Sequence, residues 1–245
     1  MTKLSAFAVI RAANLDPKVT EVLDYACGAG TVSCEFAPLV KSIVGADISQ
    51  GMLAEFEKNK TDNMAAKLVD GTILPEAQFD GRKFDLIICC AAYHHFDSPK
   101  SMTISLGKLL KPGGQLIVID FASGGHEALL HHHHHHGQAH EGQKDEQQDV
   151  SLAEGYQDEH PPEHSHGHHH KHHHSSQAVQ REPTMSSELL EQAKTTIVHK
   201  HGFARSELEE WMELAGLKRF TFDTFPPVHA FNTDAVAFSA SAYAV

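Results

Sequence analysis

Short apolar runs alternate with amphipathic stretches along the first half of the chain, separated by glycine, proline and small polar residues. Residues 20–25 and 42–47 each carry a short apolar run and read as buried parallel strands, and 84–90 is nearly all apolar, as expected of a central strand covered on both faces. Residues 67–69 and 115–121 read as a short third strand and a fifth. Helical spacing of apolar positions predicts helices over 4–14, 31–39, 50–59 and from Ser98-Pro99 to Leu110. Ser49 is placed to cap the third of these, and Lys111-Pro112-Gly113-Gly114 stops the fourth. Strands alternating with helices imply a parallel α/β sheet with helices on both faces. From about 123 to 182 the periodicity dissolves into Gly, His, Gln, Glu and Asp. Such a composition buries too little apolar surface to offset its ordering entropy, so a disordered insertion is expected there. A helix is predicted from Ser186 to about His199. Another opens on the capping-box pattern Ser206-Glu207-Leu208-Glu209 and ends at Gly216, and the last strands are expected over 217–224 and 235–243.

The stretch Val22-Leu23-Asp24-Tyr25-Ala26-Cys27-Gly28-Ala29-Gly30 carries the first chemistry. An apolar run ends near an acid, breaks into small residues and two glycines, and leads into a helix. Glycines there let a backbone approach a ligand closely, so the pattern suits a nucleotide-type cofactor; a plain turn is the competing reading. The second apolar run ends in Asp47, near the spacing at which a strand-end acid accepts from ribose hydroxyls. A dinucleotide pattern would place a third glycine three residues after Gly30, where this chain has Ser33.

At this point the chain resembles a known family. Asp24-Tyr25-Ala26-Cys27-Gly28-Ala29-Gly30 is similar to the glycine-rich motif of class I S-adenosylmethionine-dependent methyltransferases. Three further stretches resemble that family in the expected order: Val69-Asp70-Gly71, Phe84-Asp85-Leu86-Ile87-Ile88-Cys89-Cys90, and Leu109 through Ile119 around Lys111-Pro112-Gly113-Gly114. The resemblance implies a Rossmann-like seven-stranded sheet whose last strand is antiparallel. It implies one domain over 1–245, interrupted by the His-rich insertion, and S-adenosylmethionine as methyl donor. In that reading Asp24, Ala26, Gly28 and Gly30 hold the methionine end, and Asp47 takes the ribose hydroxyls. Ile48 and Met52 line the adenine or ribose face, Asp70 and Gly71 meet the adenine, and Cys90 and Ala91 line the pocket. For Asp70 a simple Asp-Gly turn competes, and Ile48 and Met52 suit the core equally well.

Beyond strand four, Tyr93-His94-His95-Phe96 resembles small-molecule methyltransferases of the quinone-biosynthesis type. A neutral imidazole there suits removal of a proton from an acceptor hydroxyl, thiol or amine, and His94 is the candidate base. The alternative is that one histidine packs and the other bonds locally. The acceptor is expected to be a small molecule, with a protein acceptor as the rival.

Composition adds one anomaly. Of 22 histidines, 17 lie between His126 and His174, and residues 126–180 carry nine Asp or Glu against two Lys. Most of the formal charge of −12 therefore sits in the insertion. His131, His132, His133, His134, His135, His136, His168, His169, His170, His172, His173 and His174 are candidate ligands for zinc or nickel, bound adventitiously rather than for catalysis. A metal-buffering protein on a methyltransferase scaffold is the rival from another class. The acidic balance argues against nucleic acid as partner. No long apolar span is present, and Cys27, Cys34, Cys89 and Cys90 lack paired spacing, so a reduced cytoplasmic protein without a membrane span is expected.

Overall fold

The computed structural model describes residues 2–124, 198–230 and 233–245. Helix α1 (Thr2–Ala12) precedes strand β1 (Glu21–Tyr25), followed by α2 (Thr31–Phe36), β2 (Ser42–Asp47), α3 (Gln50–Asn59) and β3 (Met64–Leu68). Then come β4 (Phe84–Cys90), α4 (Pro99–Gly107) and β5 (Leu110–Phe121). After the undescribed segment follow α5 (Arg205–Leu214), β6 (Lys218–Thr224), a small hairpin of β7 (Val228–Ala230) and β8 (Thr233–Ala235), and β9 (Ala237–Tyr243). The main sheet has seven strands in the order β3-β2-β1-β4-β5-β9-β6. β1 to β5 pair in parallel, and β9 runs antiparallel to both β5 and β6. The expected mixed sheet with its antiparallel last strand is therefore present.

Alternation along the central strands divides the core between two faces. Val22, Ile43, Leu86, Ile88, Ile117 and Ile119 face Val9 of α1, Phe36 of α2 and Phe56 of α3. Leu23, Val44, Ile87, Leu116 and Val118 face Leu106 of α4 and Leu208 and Met212 of α5, with Phe203 and Tyr93 beside them. A strand buried on both sides has no polar face, which is why these segments read as continuous apolar runs.

Several boundaries differ from the sequence expectation. β3 lies over Met64–Leu68 rather than 67–69, because as an edge strand it is only partly buried and has no strong apolar run. β5 starts at Leu110, which pairs with Phe84. The ladder then skips Lys111–Gly114 and resumes with Gln115 on Leu86. Helix α5 begins at Arg205, not after Ser206: Glu207 reaches back to accept from the Ala204 N–H at 2.8 Å, and the predicted serine cap is not formed. The helix expected over 186–199 falls outside the described residues except at its end, where Val198–His201 form a bend and a turn. No described helix is long and apolar enough to cross a membrane.

Candidate cofactor and acceptor site

The strand order reverses between β1 and β4, and the crevice outside the carboxyl ends of such strands is where this class of sheet binds ligands. Asp24, Asp47, Asp70, Cys90 and Ala91, with the loops that follow them, all lie along that edge.

The loop after β1 is built from alternating left-handed residues, with φ of 59° at Ala26, 54° at Gly28 and 73° at Gly30. It is pinned by the Cys27 N–H, which donates to the Ala46 carbonyl at 3.1 Å, and by the Gly30 N–H on the Cys27 carbonyl at 2.9 Å. The two glycines serve different ends. A Cβ on Gly28 would meet nothing within 4 Å, so its face of the loop is open. A Cβ on Gly30 would lie 2.5 Å from the ring of Phe56, as would one on Gly45 at 2.3 Å. Phe56 is thus a wedge beneath the loop, requiring glycine on both β2 and the turn.

Asp47, 8% exposed, ties the loop down from β2. Its Oδ2 accepts from the Gly28 N–H and its Oδ1 from the Ser49 N–H, both at 2.8 Å. Each carboxylate oxygen keeps a further lone pair for a ligand hydroxyl. Ser49 then caps α3 by accepting from the Met52 N–H at 3.2 Å, as its position predicted.

Asp24 is 2% exposed and lies beneath the loop, where its Oδ2 accepts from the Ser33 hydroxyl at 2.7 Å. Burial pushes its carboxyl up to about 7; the Ser33 bond opposes this and the nearby Asp47 charge adds to it. Ser33, the residue standing where a dinucleotide pattern has glycine, is therefore a buried donor to this acid.

On the neighbouring loop, Ile48 is 66% exposed and the missing Cβ of Gly71 would sit 3.4 Å from its Cγ2, so these two candidates meet. Asp70 Oδ1 accepts from both the backbone N–H and the hydroxyl of Thr72, at 2.8 and 2.7 Å, which holds its carboxyl below the usual range. Gln78 locks this loop, accepting from the Asp70 N–H and donating to the Asp70 and Ile73 carbonyls. Met52 is half-buried at the start of α3.

At the end of β4, Ala91 adopts φ 53° with its N–H on the Ile119 carbonyl at 2.7 Å. Tyr93, His94 and His95 then form a single tight turn. Tyr93 is buried with its hydroxyl 3.0 Å from that of Thr103. His94 is 5% exposed, and its Nδ1 lies 2.8 and 3.1 Å from the two carboxylate oxygens of Asp120. The N–H groups of Val198 and His199 both donate to the His94 carbonyl, and the His199 ring reaches the Phe96 carbonyl at 3.0 Å.

Sequence reasoning missed Ser33, Phe56, Gln78 and Asp120. Asp120 left a signal, since it closes an apolar strand as Asp47 does. The candidate metal ligands, His131–His136, His168–His170 and His172–His174, lie outside the described residues; among the described residues no cluster of three metal-ligating side chains occurs.

A family described as "Methyltransferase domain" matches residues 23–118. An uncharacterized methyltransferase of Schizosaccharomyces pombe is 38% identical over 112 residues, covering 42% of this chain and 39% of that protein. A demethylmenaquinone methyltransferase of Clavibacter sepedonicus is 31% identical over 104 residues, covering 42% and 41%. The chain thus spans about two fifths of the length of these curated relatives. The crystal structure of the YcgJ protein of Bacillus subtilis superposes with a TM-score of 0.58 at 15% identity, covering 99% of this chain and 98% of that one. Residues 23–118 thus match a methyltransferase domain, and in motif order and sheet topology the chain is similar to the class I S-adenosylmethionine-dependent methyltransferases.

Proposed function

We propose that the protein transfers a methyl group from S-adenosylmethionine to a small molecule. The observation that carries this is the loop of Ala26, Gly28 and Gly30, open above Gly28 and tied from below by the Asp47 carboxylate. These residues fit the cofactor: a backbone without side chains for its amino-acid end, and a strand-end carboxylate with lone pairs for its ribose. Ile48, Met52, Asp70 and Gly71 would line the adenine, with Cys90 and Ala91 flooring the crevice. Asp24 acts from beneath, shaping the loop through Ser33 and offering an acceptor oxygen to the ammonium. When bound, the cofactor supplies an electrophilic methyl on a sulfonium. The protein's part is then mainly to hold the acceptor in line and to take up its proton. The demethylmenaquinone methyltransferase relative favours a small acceptor. The domain is taken as one unit interrupted by the His-rich insertion, whose histidines bind metal only adventitiously.

Calorimetric titration with S-adenosylmethionine tests the reading. Removal of hydrogen bonds to a charged acceptor costs about 1.5–3 kcal/mol, so Asp47→Ala should weaken binding about 10- to 100-fold. A chain lacking 126–180 should bind as the full chain does, while losing its uptake of zinc. Absence of binding by the full chain would refute the proposal, and loss of binding on deletion would make the insertion part of the site.

A further inference from the structure

The contact between His94 and Asp120 joins the turn after β4 to the end of β5, 26 residues away in sequence. Asp120 is 0% exposed, and three donors converge on its carboxylate: the His94 ring at 2.8 Å, the His94 N–H at 3.3 Å and the Phe121 N–H at 2.8 Å. Among the described residues its ion-pair partner is His94, with no lysine or arginine sharing it. A carboxylate facing Nδ1 requires the proton on that nitrogen, which leaves the basic lone pair of the neutral ring on Nε2. In so dry a setting the same carboxylate stabilises the imidazolium that forms when Nε2 takes up a proton. Among the described residues, His95 lies against this ring with its centroid 4.1 Å away, Tyr93 precedes it in the same turn, and the His199 N–H donates to the His94 carbonyl from the returning chain.

We propose that Asp120 is the positioning residue for His94 as general base, and that the acceptor is a small molecule methylated on a hydroxyl, an atom that must lose a proton. This rests on the methyltransferase reading above. The heteroatom–hydrogen bond breaks, its proton goes to His94 Nε2, and the freed electron pair forms the bond to the methyl carbon. The carbon–sulfur pair returns to the sulfonium sulfur, and the imidazolium then gives its proton to water. A carbon acceptor with no proton to lose at the attacking step, or a neutral amine, would gain little from such a pair.

Nitrogen NMR of the labelled full chain reads the tautomer of His94, its signals identified by their loss in His94→Gln. The Nδ1–H form is expected, with a shift toward Nε2–H in Asp120→Asn. With saturating S-adenosylmethionine and catechol as probe acceptor, His94→Gln should lower kcat about 10²- to 10⁴-fold. Asp120→Asn should lower it on the order of 10²-fold, leave KM for catechol within about twofold and move the acid limb of the pH profile to lower pH; Asp120→Glu should restore part of the rate. An Nε2–H tautomer in the native chain, or an Asp120→Asn protein that loses thermal stability with an unmoved pH profile, would reduce the pair to a structural clasp and overturn the proposal. Cofactor binding, measured separately by calorimetry, distinguishes the two failures. A chain that binds no S-adenosylmethionine refutes the methyltransferase reading. A chain that binds it, shows the Nδ1–H tautomer and methylates an aryl amine but not catechol overturns the acceptor class.

Discussion

Three glycine-to-alanine changes separate backbone strain from steric clash around the cofactor loop. Gly28 has φ 54° and open space where a Cβ would go, so Gly28→Ala adds strain alone, about 1–2 kcal/mol. Gly45 lies within β2, where its backbone suits any residue, but its Cβ would fall 2.3 Å and 2.6 Å from Phe56 ring atoms and 2.9 Å from the Cys27 sulfur. Phe56 is fully buried and has nowhere to swing, so Gly45→Ala adds overpacking alone, about 1–3 kcal/mol. Gly30 combines φ 73° with a Cβ 2.5 Å from the same ring, so Gly30→Ala should cost about the sum, 2–5 kcal/mol. Urea unfolding followed by circular dichroism measures all three. With a slope of about 1–3 kcal/mol per molar, the Gly30→Ala midpoint should fall by on the order of 1–2 M, clearly more than that of Gly28→Ala. Cofactor calorimetry should rank them differently. Gly28→Ala, the mildest for folding, fills the open face of the loop and should weaken S-adenosylmethionine binding the most relative to its stability cost. If Gly30→Ala proved no more destabilising than Gly28→Ala, the Phe56 wedge would be wrong. Binding by Gly28→Ala equal to that of the native chain would put the cofactor elsewhere.

The buried acid gives a signed pH dependence. Asp24 ionises near 7 in the fold against about 3.8 in an exposed chain, so the folded form holds an extra proton between those values and stability falls as pH rises through that window. Asp24→Asn should flatten that slope in urea midpoints measured from pH 4 to 8; an unchanged slope would show that another group carries it. At the opposite edge of the sheet, Lys111 bridges Glu21 at 3.0 Å and Asp85 at 2.9 Å, and with Lys41 it holds the Glu21 carboxyl down to about 2. That contribution is present at neutral pH and is lost as pH falls from about 4.5 toward 2. Lys111→Ala should therefore cost up to about 1 kcal/mol at pH 7 and almost nothing at pH 2, read from thermal melts in low salt. Equal costs at both pH values would mean that Lys111 acts through packing.

What could be read from the sequence and what could not divide along a physical line. Residues 84–90 and 42–47 were legible as strands because a strand buried on both faces must be apolar throughout. Ser49 was legible as a cap because the bond it makes spans three residues. The glycine loop was legible because left-handed backbone leaves few residue choices. Each of these is decided within a few positions of the chain. β3 was misplaced by three residues because an edge strand with one buried end carries little apolar signal, and the start of β5 was hidden by the polar Lys111–Gly114 step that the ladder jumps over.

The site divides in the same way. Its cofactor half depends on short-range pattern: two glycines, an acid closing β2, an Asp-Gly step after β3. Its acceptor half depends on pairings that only the closed sheet brings about, Asp120 on His94 and the Val198 and His199 N–H groups on the same turn. Sequence chemistry alone offered two adjacent histidines with no means of choosing between them beyond position. The sheet supplies the choice, because parallel pairing of β4 with β5 sets Cys90 beside Ile119 and so brings the next residue of β5, Asp120, level with the turn that follows β4. The carboxylate takes both the backbone N–H and the ring of His94, so residue and rotamer are fixed together. A substitution that kept His94 but shifted this register by one residue would therefore turn the acid to the opposite face of the sheet and separate the pair, since side chains alternate along a strand.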